Sequence, residues 1–374
     1  MTFVTPGQRG PEEWRWWLAL RMVPGVGPVV YQALLRAFHE PRTILEADRD
    51  ALECAGLRPE VAQAVRSFNR WRDVERDLDR LRRAGAVLVT WNDVHYPALL
   101  RQIHDPPPFL YLLGELHPAD NLSVAVVGSR HPTSYGLRMA REITVGLVQF
   151  GVTVVSGLAR GIDAAAHWAA VKEGGRTIAV LGSGVDVIYP PEHKALAQRM
   201  ITRGAIVSEL PMGAQPDAEN FPARNRIISG MSRGTIVVEA AEKSGSLITA
   251  HVAAEQGREV FAVPGPVGER SRGTHRLIRN GATLTESARD VIEELAPQLL
   301  QRAASPAPQQ RELPLEAAPI IALLRGHPLH VDELIARTGQ PATQVLTTLL
   351  DLELKGIVQQ LPGKCFALAE NVSG

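Results

Sequence analysis

Short apolar runs, rich in Val, Ile and Ala, recur through the middle of the chain at Val124–Val127, Thr153–Val155, Thr177–Leu181, Ala205–Val207, Thr235–Val238 and Glu259–Val263. A run that is apolar at consecutive positions reads as a strand buried on both faces. Stretches of helical spacing fit between the runs. The pattern therefore predicts a doubly wound, parallel α/β sheet with helices on both sides. Small residues stand where the strands should end: Gly128-Ser129, Ser156-Gly157, Gly182-Ser183-Gly184 and Pro264-Gly265. In such a sheet these turns share one edge, the edge at which ligands bind. Short connections need glycine for their own sake, so the turns by themselves do not name a ligand.

The flanks read differently. Residues 1–83 are predicted as a small helical domain, opening on the apolar cluster Trp14, Trp16, Trp17, Leu18 and Leu20. Val23-Pro24-Gly25-Val26-Gly27-Pro28 breaks it before a second helix, Val30 to Phe38. Helix, Pro-Gly-x-Gly turn and helix resemble a helix-hairpin-helix unit, whose turn offers backbone N–H groups to a phosphate. Such turns also join helices that bind nothing, and no Lys or Arg lies inside this one. Val74 to Arg83 alternates charges and reads as a solvated helix face. Residues 84–295 form the main domain, entered through strands near Ala86–Thr90 and Phe109–Leu113 and a stiff Asp105-Pro106-Pro107-Pro108 segment. Residues 296–316 are expected to be a flexible linker, being poor in large apolar groups. Residues 317–374 follow the helix–helix–helix–hairpin order of a winged helix.

Composition alters this picture little. At 374 residues the chain suits two or three domains, and its polar start lacks a signal-peptide pattern, so a cytoplasmic location is expected. Two isolated cysteines, Cys54 and Cys365, have no metal-ligand spacing. Charge matters more. The whole chain balances 40 basic against 40 acidic residues, yet Val124 to Thr285 holds 18 Lys and Arg against 13 Asp and Glu. A polyanion would be held by the middle of the chain. From Glu312 onward the balance reverses to 4 against 7. The candidate recognition helix of the winged helix offers Gln344, Thr347, Thr348, Asp351 and Glu353, with no basic residue before Lys355. Such a helix is not expected to read duplex DNA; contact with protein, or with another copy of itself, is the expectation.

The candidate chemistry centres on Gly128-Ser129-Arg130. Backbone N–H groups of a strand-to-helix turn attract anions, and a guanidinium adds a fixed positive fork. Along the same edge the pattern places Arg160, Lys194, Arg224, Arg226 and Lys243. Phe221-Pro222-Ala223-Arg224-Asn225-Arg226 adds an aromatic face to two arginines and an amide, the combination that suits a single strand because every base has a π-face to stack. Two nucleotide signatures are missing. There is no Gly-x-x-x-x-Gly-Lys-Ser/Thr, and Gly-Ser-Arg stands where a dinucleotide fold would have Gly-x-Gly-x-x-Gly. Asp163, His167, Asp186, Glu209 and Glu239 are the candidate acid–base groups; Asp163 and His167, four apart, are positioned to pair on one helix face.

The middle of the chain resembles the DNA-processing protein A family (DprA, also called Smf). The motifs run in order through Val127-Gly128-Ser129-Arg130, Ser156-Gly157-Leu158-Ala159-Arg160-Gly161-Ile162-Asp163, Tyr189-Pro190, Ser208-Glu209, Phe221-Pro222-Ala223-Arg224-Asn225-Arg226, Val238-Glu239-Ala240, Ser244-Gly245-Ser246-Leu247 and Val263-Pro264-Gly265. The resemblance implies an extended Rossmann-like domain that forms a homodimer, has no enzymatic turnover and needs no cofactor. It further implies binding of single-stranded DNA during natural transformation and recombination, with delivery of the recombinase RecA onto that DNA. Carried over by position, it puts Gly128, Ser129, Arg130, Lys194, Phe221, Arg224, Asn225, Arg226, Lys243 and Gly245 at the DNA site. Asp217-Ala218-Glu219 departs from relatives in being acidic. Two other readings compete. One is a nucleotide-processing hydrolase on a related fold, using Glu239 or Asp163. The other, a transcription regulator acting through the winged helix, is disfavoured by its acidic second helix.

Overall fold

The structure, a computed structural model, describes residues 10–300, 317–324, 327–354 and 357–368. It divides into two compact units, Met1–Ala304 and Ser305–Gly374.

The first unit begins with six helices: α1 (Pro11–Arg21), α2 (Pro28–Phe38), α3 (Pro41–Glu46), α4 (Arg49–Cys54), α5 (Pro59–Arg66) and α6 (Trp71–Ala84). Four of them, α1, α2, α3 and α5, start on a proline, whose missing N–H would have had no partner in the first turn. Two strands follow, β1 (Val87–Thr90) and β2 (Phe109–Gly114). Then come β3 (Ser123–Val127), α7 (Ser134–Gln149), β4 (Thr153–Ser156), α8 (Ile162–Lys172), β5 (Thr177–Val180), α9 (Lys194–Met200), β6 (Ala205–Ser208) and α10 (Asn220–Gly230). The unit closes with β7 (Gly234–Val237), α11 (Gly245–Glu255), β8 (Glu259–Ala262), α12 (Arg272–Arg279), β9 (Thr283–Leu284) and α13 (Ala288–Leu295).

These strands form one sheet in the order β1-β2-β6-β5-β4-β3-β7-β8-β9. All neighbours from β6 to β9 run parallel, while β2 is antiparallel to both β1 and β6. This is the doubly wound parallel sheet that the apolar runs predict, in the extended Rossmann-like form that the family resemblance implies. Alternate residues of each strand feed opposite faces. Val124 and Val126 pack with α7, α8 and α13, whereas Ala125 and Val127 pack with α10, α11 and α12. The last strand, β9, is two residues long and too short for any periodicity to announce it.

The six N-terminal helices do not stand apart from the sheet. A single apolar cluster joins Trp17, Tyr31, Leu34 and Val61 to Leu88, Phe109, Tyr111, Leu181 and Ile206. Helix α6 is only partly the solvated face its charges suggest. Asp77 is buried, accepting hydrogen bonds from the Tyr111 hydroxyl at 2.5 Å and the Met212 N–H at 3.2 Å. Burial raises the pKa of its carboxyl against the effect of those bonds. The start of the expected linker is also corrected: Ala296 is fully buried, and Leu299 and Leu300 pack against the α7/α13 core. The rest of it, 301–316, lies outside the described residues.

The second unit is a winged helix. Helices α14 (Ala318–Leu324), α15 (Val331–Thr338) and α16 (Ala342–Leu354) pack with strands β10 (Leu329–His330), β11 (Val358–Leu361) and β12 (Cys365–Leu368), ordered β10-β12-β11. Ile320, Leu334, Val345, Leu349, Leu352 and Phe366 form its core.

Candidate nucleic-acid interface

Strands β3, β4, β5 and β6 step outward in one direction, and β7 then returns to the other side of β3. Helices α7 and α11, which follow β3 and β7, pack on opposite faces of the sheet. A crevice must open between the carboxyl ends of these two strands, at the point where the winding reverses. The turn after β3 lies in it. A Cβ on Gly128 would meet Ile162 Cγ1 at 2.7 Å and the Glu239 carbonyl at 3.0 Å, so only glycine lets the two strand ends approach this closely. The Ser129 N–H donates to the Glu239 carbonyl at 2.7 Å, tying β3 to β7. The Ser129 hydroxyl accepts from the His131 N–H at 3.1 Å.

A cavity of about 780 Å³ occupies the crevice. Eight of the ten expected site residues line it: Gly128, Ser129, Arg130, Phe221, Arg224, Asn225, Lys243 and Gly245. The Arg130 guanidinium lies over the Phe221 ring, 5.3 Å from its centroid. The Tyr189 ring is 6.0 Å from Phe221 at an interplanar angle of 41°, which widens the aromatic wall. On the far side stands the N-terminus of α11, capped by Ser244. The Ser244 N–H donates to the Ala241 carbonyl and the Ser246 N–H to the Ser244 hydroxyl, so it is the Gly245 N–H and the partial positive charge of the helix end that the cavity meets, with the exposed Lys243 beside them. The site thus has cationic groups on two walls and an aromatic surface on one.

The three motif arginines have separate fates. Arg130 is exposed. Arg224 is buried and donates to the backbone carbonyls of Gly157, at 2.9 Å, and of Val180, clamping the ends of β4 and β5. Burial lowers its pKa to about 10, with Asp163 opposing and Arg130 reinforcing the shift. Arg224 reaches the cavity wall, but its donors serve the fold. Arg226 is a correction to the expected site. Its guanidinium turns away into ion pairs with Glu209 at 2.5 Å and Asp105 at 3.1 Å, and it does not line the cavity. That arrangement pins α10 to the Pro-rich segment before β2. Lys194, likewise absent from the lining, is an exposed first residue of α9. Arg160, expected along the same edge, is held by Glu192 at 2.6 Å.

The acid–base candidates are also committed. Glu239 is 4% exposed and accepts from the Thr133 N–H at 3.1 Å and the Thr133 hydroxyl at 2.5 Å, while Thr133 caps α7. Asp163 accepts from the N–H groups of Gly157 at 3.1 Å and Ala159 at 3.4 Å, holding the turn after β4. Burial raises its pKa. The expected Asp163–His167 pair does not form. His167 instead shares a proton with the Thr177 hydroxyl through Nδ1 at 2.7 Å, and burial, then His193 and Arg224, lowers its pKa to about 3. Burial likewise raises the pKa of Glu209, against the pull of Arg226. Tyr189, Ser244, Ile248 and Thr249 also line the cavity and are not among the expected site residues. Tyr189 and Ser244 stand inside the motifs without an assigned role, and Ile248 and Thr249 follow on the first turns of α11.

Fold and crevice together define a doubly wound α/β protein with an anion-attracting switch point. Sequence comparison narrows the class. Residues 87–296 match the family described as DNA recombination-mediator protein A, and residues 304–364 match the DprA winged helix domain. The chain is 42% identical over 323 residues to Protein Smf of Escherichia coli (strain K12), covering 84% of this chain and 86% of that one. It is 41% identical to DNA processing protein DprA of Bacillus subtilis (strain 168), over 66% of this chain and 82% of that one. Among solved structures, DNA processing protein A from Streptococcus pneumoniae is similar at a TM-score of 0.66 and 34% identity, covering 77% of this chain and 99% of that chain. DNA processing protein A from Helicobacter pylori, whose structure concerns a single-stranded DNA binding mode, is similar at 0.51 and 28%, covering 58% and 96%. The chain belongs to the DprA/Smf family of DNA-processing proteins. No helix among the described residues is long and apolar enough to cross a membrane.

Proposed function

We propose that the crevice holds single-stranded DNA and that the protein is a mediator without catalytic turnover, loading RecA onto the strand it protects. The observation that carries this reading is the pairing of Arg130 with Phe221 across from the α11 N-terminus and Lys243. Phosphate contacts come from Arg130, Lys243 and the N–H groups of Gly128 and Gly245 themselves. Phe221, with Tyr189 beside it, supplies the surface on which a base stacks. Gly128 and Ser129 shape the floor, and Asn225 offers its amide to a base edge. Arg224 acts through position, fixing the turn that carries Leu158 to Arg160.

The hydrolase alternative needs a free carboxylate. Glu239 is spent on the α7 cap and is not part of the lining. Asp163 reaches the lining, but its carboxylate accepts from the Gly157 and Ala159 N–H groups and holds the turn after β4, which favours the mediator over the hydrolase. The likeness to the Helicobacter pylori protein supports a single-stranded partner. A homodimer would raise strand affinity through effective concentration, since two crevices then share one polymer. Direct measurement of single-stranded against duplex affinity across several salt concentrations tests the reading. A clear preference for the single strand, with no base released from nucleoside monophosphates, is the expected result. Equal affinity for both forms, or release of free base, would overturn it.

A further inference from the structure

The carboxyl edge of the sheet does not end at the crevice. Strand β2 runs antiparallel to β6, with Tyr111 paired to Ser208, so the start of β2 stands at that same edge. A second cavity, of about 400 Å³, opens there between the edge and helices α1 and α6. Four arginines line it, Arg21, Arg70, Arg76 and Arg80, against three carboxylates. Those carboxylates are largely consumed. Glu209 is held by Arg226 at 2.5 Å, and buried Asp77 is held by Tyr111 and Met212. Asp73 alone serves both Arg70, at 2.9 Å, and Arg76, at 3.2 Å. Arg80 donates to the Met212 carbonyl at 2.8 Å, and Arg21 makes no hydrogen bond or ion pair among the described residues. All four arginines are exposed. The cavity therefore keeps a surplus of guanidinium charge facing solvent.

One loop joins the two cavities. Pro211 and Met212 line the second, and Pro216 and Ala218 line the first. Its middle is fixed from both sides: Asp77 and Arg80 of α6 hold Met212, while the Gly213 N–H donates to Asp186 at 2.8 Å and the Gly184 N–H to the Ala214 carbonyl at 2.9 Å. Strand β6 lies three places from β3, roughly 14 Å along the edge at about 4.8 Å per strand. At about 3.4 Å per nucleotide of a stacked strand, about four nucleotides cover that gap.

We propose that a strand seated in the crevice continues along this edge and sets one or two of its phosphates against Arg21 and Arg76, making the helical region a second phosphate subsite. The inference rests on the single-stranded DNA reading of the crevice. It is tested on the full chain with oligonucleotides of about 4 and about 12 nucleotides, one spanning the crevice alone and one long enough for both cavities. Arg21→Ala/Arg76→Ala should leave the short oligonucleotide's affinity unchanged. On the long one it should lower affinity about tenfold and reduce the slope of log affinity against log salt by about 1.4, two contacts at about 0.7 each. Equal affinity of variant and parent for the long strand, or equal loss on both lengths, overturns the proposal. Should the double variant fail to fold, Arg21→Ala alone, which removes no hydrogen bond or ion pair among the described residues, should reduce the slope on the long strand by about 0.7. An unchanged slope in that single variant overturns the proposal as well. Arg130→Ala separates the two readings: it should weaken both lengths, and its failure to do so counts against the crevice rather than the second subsite.

Discussion

Arg130, Arg224 and Arg226 carry the same guanidinium within one motif set, and their surroundings give them opposite predictions. Arg130 is exposed and stacked on Phe221, so its charge is available to solvent anions. Arg130→Ala should weaken single-strand binding about tenfold for any base sequence and flatten the salt slope by about 0.7. Phe221→Ala should cost about 1–3 kcal/mol of binding per stacked base while leaving the slope unchanged, because no phosphate contact is lost. The two variants thus separate charge from stacking in one titration. Arg224→Ala belongs to another category. It leaves two strand-end carbonyls without their donor and strands buried Asp163, so about 3 kcal/mol of stability should be lost, read as a lowered denaturant midpoint. A variant with unchanged midpoint and weakened binding would show that Arg224 contacts the strand directly. From the sequence all three look alike, as basic residues beside glycine turns. What sorts them is whether a carbonyl or a carboxylate lies within reach, and Glu209, Asp105 and the Gly157 carbonyl come from distant parts of the chain.

At the scale of elements, the strands were legible because a parallel sheet is buried on both faces and each run is apolar at consecutive positions. The helix faces were less so. Helix α8 reads as apolar throughout, and its buried polar residues, Asp163 and His167, found partners on β4 and β5 rather than each other. This arrangement has a titration signature. His167 has a folded pKa of about 3 against 6.5 in the unfolded chain, so below pH 6.5 the unfolded state binds the extra proton. The stability His167 contributes is therefore present above pH 6.5 and is lost as pH falls towards 3, with a slope of up to about 1.4 kcal/mol per pH unit. Asp77, Asp163 and Glu209 have raised pKa values and act with the opposite sign, favouring the folded state as pH falls. The clean measurement is a difference. Unfolding free energy of the parent minus that of His167→Gln, followed from pH 7 to pH 4, should decline steadily; a flat difference would place a charged imidazole in the folded protein. The winged helix gives a further expectation. Helix α16 exposes Leu346 and Leu350 one turn apart and has no basic residue among Ala342–Leu354, which suits a protein contact better than a groove. Gln344→Ala/Thr347→Ala in the full chain should leave duplex affinity as it was, whereas a marked drop in a mobility-shift titration would mark α16 as a reading helix.

Across the whole first unit, the physical question is whether the helical region and the sheet are one folding unit or two. Composition and charge suggest a small domain over residues 1–83 that leads into a larger one. Burial argues for coupling. Trp17 and Tyr31 stack at 5.9 Å inside the same apolar cluster that takes in Phe109, Tyr111 and Ile206 from the sheet. The contact is sealed by polar groups that neither part satisfies alone: Asp77 of α6 accepts from Tyr111 of β2 and from Met212 beyond β6, and Arg80 returns a bond to the Met212 carbonyl. Separation would expose the Phe109 and Tyr111 side chains, each 2% exposed, and leave a buried carboxylate without donors. Losing two large aromatic burials at about 1.5–3 kcal/mol each, with the Asp77 bonds besides, is comparable to the whole stability of a modest domain. The helices and the sheet should therefore melt together. Two of the six tryptophans, Trp91 and Trp168, lie outside the helical region; with both replaced by Phe, Trp14, Trp16, Trp17 and Trp71 report that region by fluorescence, and far-ultraviolet dichroism reports the sheet with its helices. Coincident midpoints in urea are expected for these two probes, and Asp77→Ala should shift both to the same lower value. If the tryptophan signal moved alone, the helical region would be an autonomous domain and its arginine-lined cavity would owe nothing to the sheet edge beneath it.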